Sequence, residues 1–240
     1  MIDGGIKVAK LRTLKAEFAP LRQKIIIALR RAIEMGVLKP GERLIEKDLC
    51  AQLGVSRTCL REALRELEAQ RVISNSSTRG LVVTPITTED AVNIYRVRAE
   101  LEALLAEQFI ECADAADMAA FRRAAAGLKS AYTTQDLESI LDAKRVYYDA
   151  FCAGARNPVV LDLLMMLHLR TSQLRASSIS RDERKSQSIA EVDALQGAIA
   201  KGDVAAARAA ARAHVENAAS SAFIATGRDR ELSEPLRMGA

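Results

Sequence analysis

The feature that most constrains the fold is a helix stop followed at once by a helix start, at Gly54-Val55-Ser56. A helical pattern over about 46–53 comes before it, and Gly54 suits the left-handed residue that closes a helix. Ser56 suits the N-cap of a following helix that runs to about residue 69. Two short helices joined by a three-residue turn are typical of a helix-turn-helix.

The flanking sequence extends this unit. A helix over about 20–35 precedes it, and two β-prone segments, 72–74 and 81–83, follow it on either side of a polar tip at 75–80. Three helices and a terminal hairpin predict a winged helix-turn-helix domain over 19–86. Residues 1–18 are basic and weakly patterned, which predicts a flexible arm.

The remaining sequence contains almost no strand signal. Aromatic residues make up 4% of the chain and Trp is absent, so a core must be built from aliphatic side chains and Ala, which favours close-packed helices. The predicted helices are 88–112, 115–131, 134–154, 158–178, 185–201 and 203–225. We therefore predict a mainly α protein whose second domain, 87–225, is an all-α antiparallel six-helix bundle, with a disordered tail over 226–240.

The charge is unevenly distributed. Residues 1–86 contain 16 Lys and Arg against 9 Asp and Glu, whereas residues 87–240 contain 19 against 22, within a net charge of +4. A basic N-terminal third followed by a mildly acidic remainder suggests a nucleic-acid-binding domain joined to a domain with another function. The alternative is a solvated basic surface.

The predicted third helix separates two kinds of side chain. At 100° per residue, an apolar face of Leu60, Ala63, Leu64 and Leu67 lies about 125° from a polar face. The polar face and the adjoining loops supply the predicted DNA-binding residues: Lys47, Ser56, Arg57, Thr58, Arg61, Arg65, Arg79 and Gly80. The start of such a helix reaches base edges in the major groove, and Arg pairs with guanine or phosphate. A solvated Arg-rich face is the alternative.

Other classes of protein find little support. The four cysteines lack metal-ligand spacing, and the N-terminus lacks the apolar stretch of a signal peptide. The strongest apolar run, 161–167, is too short to span a bilayer. No nucleophile elbow, P-loop or HExxH motif is present, and Cys152 has no His near it in sequence. We expect a cytoplasmic protein that is neither an enzyme nor bound to a membrane.

Four polar side chains of the second domain follow apolar stripes at helical spacing. They are Arg98, Lys144, Tyr148 and His214. Each has an ordinary structural explanation: Arg98 can pair with Glu102, Lys144 can extend to water, and the Tyr and His can be core residues with satisfied polar atoms. Because buried cations need an anionic partner, the four together predict a pocket for a small anion, such as a carboxylate.

The stretch from Glu42 to Glu68, ERLIEKDLCAQLGVSRTCLREALRELE, resembles the signature of GntR-family bacterial repressors. The second domain resembles the effector-binding FCD domain of the FadR subgroup, through Arg98 with Leu101-Glu102, Asn157-Pro158, and 198–203 followed by His214. The resemblance covers about 19–222. It implies a homodimeric repressor controlled by an effector. Two such modules would read two half-sites, so we expect a near-palindromic operator on double-stranded DNA, and the four polar residues above predict that the effector is a small anion.

The resemblance also assigns roles. Arg57, Thr58 and Arg61 should contact the operator, Lys47 should contact a phosphate or base, and Gly80 should sit at the tip of the wing. One departure is Arg71, where the family usually has Gly.

Many FCD domains hold a divalent metal, and the corresponding ligand positions here are Lys144, Tyr148, Val192 and His214. One imidazole cannot form a metal site, so we expect no metal and no other cofactor. Lys144 could instead supply the positive charge, and Arg98 could clamp a carboxylate. A ligand-blind architectural DNA binder and an acyl-CoA sensor remain as alternatives.

Overall fold

The computed structural model describes residues 19–134, 136–179 and 181–228. The predicted arm, 1–18, and residues 229–240 of the predicted tail lie outside the described residues. The described chain is mainly helical, which confirms the predicted fold class. Its elements are α1 (Ala19–Glu34), α2 (Glu46–Leu53), α3 (Arg57–Ala69), β1 (Ile73–Ser76), β2 (Gly80–Val83), α4 (Thr88–Cys112), α5 (Ala115–Thr134), α6 (Leu137–Gly154), α7 (Pro158–Arg170), α8 (Ser172–Ile179), α9 (Asp182–Lys201) and α10 (Val204–Ala225).

The turn between α2 and α3 forms as the sequence predicts. Gly54 closes α2 in the left-handed conformation, with φ of 64°. The Ser56 side chain accepts a hydrogen bond from the Cys59 amide at 3.3 Å, which caps α3. The apolar face of α3, including Leu60 and Leu67, is fully buried against α1 and α2. This packing fixes which face of α3 remains exposed to solvent.

The wing is an antiparallel hairpin. In its register Ile73 lies opposite Val83 and Ser76 lies opposite Gly80. Ile73 and Val83 point into the same core as α3, so the hairpin is fixed to the helix-turn-helix. The strands cover 73–76 and 80–83, close to the predicted 72–74 and 81–83.

The second domain packs around two long helices. Helix α10 packs along α4, and its small side chains Ala207, Ala211 and Ala222 are fully buried, so the two helices approach closely. On the other side of α4, the rings of Phe109, Phe121 and Phe151 pack together, with centroids 4.9–5.7 Å apart. Most of the described aromatic rings thus share this core, while Tyr95 and Phe223 pack together in a second cluster.

The predicted helix over 158–178 is wrong in one respect, because it is interrupted at Thr171. There the backbone leaves the helical conformation, and the Thr171 hydroxyl donates to the Leu167 carbonyl at 3.0 Å. Before the break, Leu169 packs in the core of the winged domain, whereas Leu174 after it packs against α4 and α10. The interruption allows the two halves of this segment to pack in different cores. It also means that the described part of this domain has seven helices instead of six.

The two domains are joined by contacts beyond this bend. Arg31 of α1 lies 3.2 Å from both Glu138 and Asp142 of α6. Helix α1 also packs against α7 and α8. The orientation of the helix-turn-helix is therefore set by helices of the second domain.

Gly154 gives a test of the packing around α6. A Cβ at this position would lie 2.7 Å from Phe109 Cδ2 and closer still to Cε2, and that ring is fully buried. We expect Gly154→Ala to lower the free energy of unfolding by about 1–3 kcal/mol, because the buried ring cannot move freely. The measurement is urea denaturation followed by circular dichroism.

The matched control is Gly197→Ala, in the exposed part of α9. A Cβ there meets nothing within 4 Å. The change should raise the free energy of unfolding by about 0.5–1 kcal/mol, through helix propensity alone. Equal effects of the two substitutions would show that the Phe109 contact is not what excludes a side chain at 154.

Candidate DNA-binding face and buried cationic cavity

The polar side of α3 is exposed over its whole length. Arg57, Thr58, Arg61 and Arg65 are all solvent-accessible. They lie on a different face of the helix from the buried Leu60 and Leu67, because the helix repeat separates the two sets. Lys47 on α2 is also exposed. The arrangement presents several cations beside the first turn of α3, where a recognition helix contacts DNA.

Arg61 is oriented by a neighbour on α2. Its Nε donates to both carboxylate oxygens of Glu46, at 3.0 and 2.9 Å. The pair is solvent-exposed, so it contributes little to stability. Both contacts use Nε, which leaves the two terminal nitrogens of the guanidinium for a phosphate or a base.

The wing adds a second basic position. Gly80 takes a φ of 72°, which side chains rarely adopt, so this turn of the hairpin favours glycine. Arg79 beside it is exposed. Arg71, at the exit of α3, has a φ of 57°. This left-handed conformation explains the glycine that the resemblance leads one to expect at this position.

Arg98 and Glu102 form a buried pair on α4, with exposed fractions of 2% and 3%. Arg98 Nη2 donates to Glu102 Oε1 at 2.9 Å, and the Tyr148 hydroxyl donates to the other oxygen at 3.1 Å. The Nε and Nη1 atoms of Arg98 are buried without a hydrogen-bond partner among the described residues. Arg98 therefore pairs with Glu102, as its ordinary structural explanation requires, yet two of its nitrogen atoms keep unused donors.

Lys144 lines the same cavity as Arg98. Its amine lies 5.7 Å from the centre of the Tyr132 ring, and it forms no ion pair with a described carboxylate. Burial lowers the pKa of Lys144 well below its usual value, and the charges of Arg175, Arg184 and Arg98 lower it further. Three of the four predicted effector residues, Arg98, Lys144 and Tyr148, are thus brought together.

His214 lies in a separate polar group. Its Nδ1 is 2.7 Å from Glu191 Oε2, and Arg184 donates to both oxygens of Glu191 at 2.8 Å. Burial would raise the pKa of Glu191, but the hydrogen bonds from His214 and Arg184 lower it to about 2. His214 is already engaged with a carboxylate, so its direct contact with an effector stays a prediction.

Sequence reasoning missed three cationic or titratable residues of this region. Arg175 and Arg184 line the cavity, and His168 is buried with its ring 4.7 Å from that of Tyr148. Burial lowers the pKa of His168 well below its usual value, and Arg175, Arg98 and Lys144 add to this. The helical spacing of Arg184 and Ser188 along α9 was the available signal, since both line the cavity.

The positions of potential metal-binding side chains can also be compared. Across residues 19–134, 136–179 and 181–228, no three His, Cys, Asp or Glu side chains are grouped so that they could hold an ion. Two of the four positions that the FCD resemblance aligns with metal ligands carry Lys144 and Tyr148, within the cationic region.

Comparison with known proteins explains the two-domain arrangement. The gntR family of bacterial regulatory proteins matches residues 21–83, and the FCD domain matches residues 93–217. The chain belongs to the GntR family. The first match contains the helix-turn-helix and wing, and the second contains Arg98, Lys144 and Tyr148. GntR regulators bind DNA, so this chain is a DNA-binding transcriptional regulator.

Individual relatives are similar to this chain over two thirds of its length or more. The chain is 28% identical over 158 residues to the transcriptional regulator McbR of Escherichia coli K12, covering 66% of this chain and 72% of McbR. It is 26% identical over 209 residues to the galactonate operon transcriptional repressor of the same organism, covering 78% and 90%.

Solved structures show the same fold. That of E. coli McbR/YncC has a TM-score of 0.74 at 23% identity, covering 85% of this chain and 97% of that one. A GntR regulator from Rhodococcus sp. RHA1 has a TM-score of 0.72 at 22% identity, covering 85% and 98%. None of the helices described in the present chain is both long and apolar enough to cross a membrane.

Proposed function

We propose that this GntR regulator is a repressor of the FadR subgroup whose operator affinity is changed by a small anion, a carboxylate, bound in the cavity of the FCD domain. The observation that carries the proposal is Arg98, buried beside that cavity with two unused donors. A buried guanidinium with unused donors is costly unless a ligand or water completes its hydrogen bonds. Galactonate, after which the relative's operon is named, is itself a carboxylate.

The DNA half of the proposal uses the exposed side of α3 and the wing. Arg57, Thr58 and Arg61 are the proposed operator contacts, with Arg65, Lys47, Ser56, Arg79 and Gly80 around them. One such module buries little DNA surface, so we propose a homodimer in the cytoplasm whose two α3 helices read a near-palindromic site.

The structure bears on both alternatives. Lys144 has no described carboxylate partner, which is unlike the filled interior of a ligand-blind DNA binder. The cavity is short and cationic, whereas an acyl-CoA sensor would need a long apolar tunnel. Both observations favour the small-anion sensor.

The test begins with selection of genomic fragments by the purified protein, followed by gel shift with the selected operator. Several phosphate contacts should weaken binding by about 10³-fold or more between 50 and 200 mM salt. A panel of small organic acids should contain at least one that changes operator affinity by about 5- to 150-fold. If the protein binds no genomic fragment at low salt, sequence-specific DNA binding is contradicted. If no acid of the panel changes operator affinity, the proposed effector control is contradicted.

A further inference from the structure

The cavity between α4, α6, α8 and α9 is unusual because charged side chains of one sign line it. Four cationic side chains line it, Arg98, Lys144, Arg175 and Arg184, together with Tyr95, Ser178 and Ser188, and no carboxylate is part of the lining. The Tyr95 hydroxyl has no partner among the described residues, like Nε and Nη1 of Arg98. Two residues of the cavity wall thus carry buried polar atoms that lack a hydrogen-bond partner within the described chain.

The charges around the cavity do not balance. Glu102 pairs with Arg98, and Glu191 pairs with Arg184. Arg175 and Lys144 form no ion pair with a described carboxylate, although they are only 8% and 9% exposed. Glu34 acts on Arg175 only from beyond ion-pairing distance. Arg175 is therefore a buried cation without a described counterion, and the charged form of Lys144, which burial disfavours, has none within ion-pairing distance either.

We propose that the cavity binds a small dianion, held by Lys144, Arg175 and the unused donors of Arg98. This deepens the proposed function, on which it rests, by fixing the charge of the effector and by adding Arg175 as a ligand. A single carboxylate would pair with Arg175 and leave Lys144 without the counterion that its charged form needs in a buried position. A second negative charge lets Lys144 keep its proton and pair as well.

The size of the cavity restricts the dianion. The free space is about 10 Å³, which is about the room that one water needs. A ligand must therefore displace the flexible ends of Lys144 and Arg175, and only short molecules can do so without separating the helices. Short dicarboxylates and inorganic phosphate share the required chemistry.

The test is isothermal titration of the full-length protein in a chloride buffer, without DNA. The probes are oxalate, malonate and succinate, each compared with its monoamide, which has nearly the same shape and one charge fewer. Inorganic phosphate forms a separate arm. At least one dicarboxylate should bind about ten- to a hundredfold more tightly than its own monoamide. Alternatively, inorganic phosphate should bind more tightly than the monoamides by a similar factor.

The variant Arg175→Gln tests whether Arg175 binds the dianion or only supports the fold. Because it removes an unpaired buried cation, it should leave the ligand-free protein at least as heat-stable as the wild type, while abolishing the preference for the dianion. The matched control is Arg145→Gln, which removes the same charge from the exposed side of α6, next to Lys144. It should leave that preference intact.

Three results would overturn the proposal: no probe binds, monoamides bind as tightly as dianions, or Arg175→Gln keeps the preference. A preference for phosphate alone would assign the site to phosphate-type dianions, and one for a dicarboxylate to organic acids, and both support it. Failure of the proposed function would appear instead in the gel shift, as absent operator binding or an unchanged operator affinity.

Discussion

Replacing Glu102 by Gln should lower the free energy of unfolding by about 3–5 kcal/mol. Glu102 is the carboxylate that accepts from both Arg98 and Tyr148, and both partners are buried. The substitution keeps the shape of the side chain but leaves Arg98 charged beside Arg175 and Lys144 with no counterion. Urea denaturation in a chloride buffer measures the loss.

A matched control lies on the same helix. Glu100 pairs with Arg212 at 2.7 Å, but Glu100 is exposed to solvent and Arg212 is partly exposed. Glu100→Gln removes the same charge from α4 and should cost only about 0–1 kcal/mol, because water screens the pair. Equal losses for the two variants would show that burial of the Arg98 pair does not determine its contribution.

Replacing Arg57 or Arg61 by Ala should weaken operator binding by about 5- to 150-fold each. Both side chains are exposed at the start of α3, so the fold should be unaffected. If a residue contacts a phosphate, the loss should be similar for all sequences and the salt dependence should fall. If it contacts a base, discrimination at one operator position should be relaxed. Gel shifts with operator variants distinguish the two cases.

Arg122→Ala provides the control for charge. Arg122 is exposed on α5, in the FCD domain, and its removal changes the net charge by the same amount. Operator affinity should stay within about twofold of wild type, since distant exposed charges are screened at physiological salt. A loss as large as that of Arg57→Ala would indicate a general electrostatic effect and would contradict specific contacts by α3.

The helix-turn-helix could be predicted because its signals are local. Gly54 and Ser56 act on the backbone next to them, and the wheel of α3 needs only the helix repeat. The break at Thr171 could not be predicted in this way. The apolar pattern runs through it, from Leu169 to Leu174, and the bend exists because these two side chains enter different cores.

The cavity was partly predictable for the same reason. Helical spacing placed Arg98 and Lys144 on inward faces, but it does not say which charges meet across helices. His214 faces inward as predicted, yet Glu191, 23 residues earlier, engages it. Arg175 is absent from the predicted residues because the sequence predicts one helix over 158–178, in which α8 only continues α7. Such pairings depend on tertiary packing, which periodicity does not contain.

The bend at Thr171 would join operator binding and the proposed anion binding in one equilibrium. Leu169 on one side is a core residue of the DNA-binding domain, and Arg175 on the other lines the cavity. If an anion held by Arg175 changes operator affinity by some factor, operator DNA must change the affinity for the anion by the same factor. Regulator molecules bound to the chromosome and free molecules in the same cell would then respond at different concentrations of the anion.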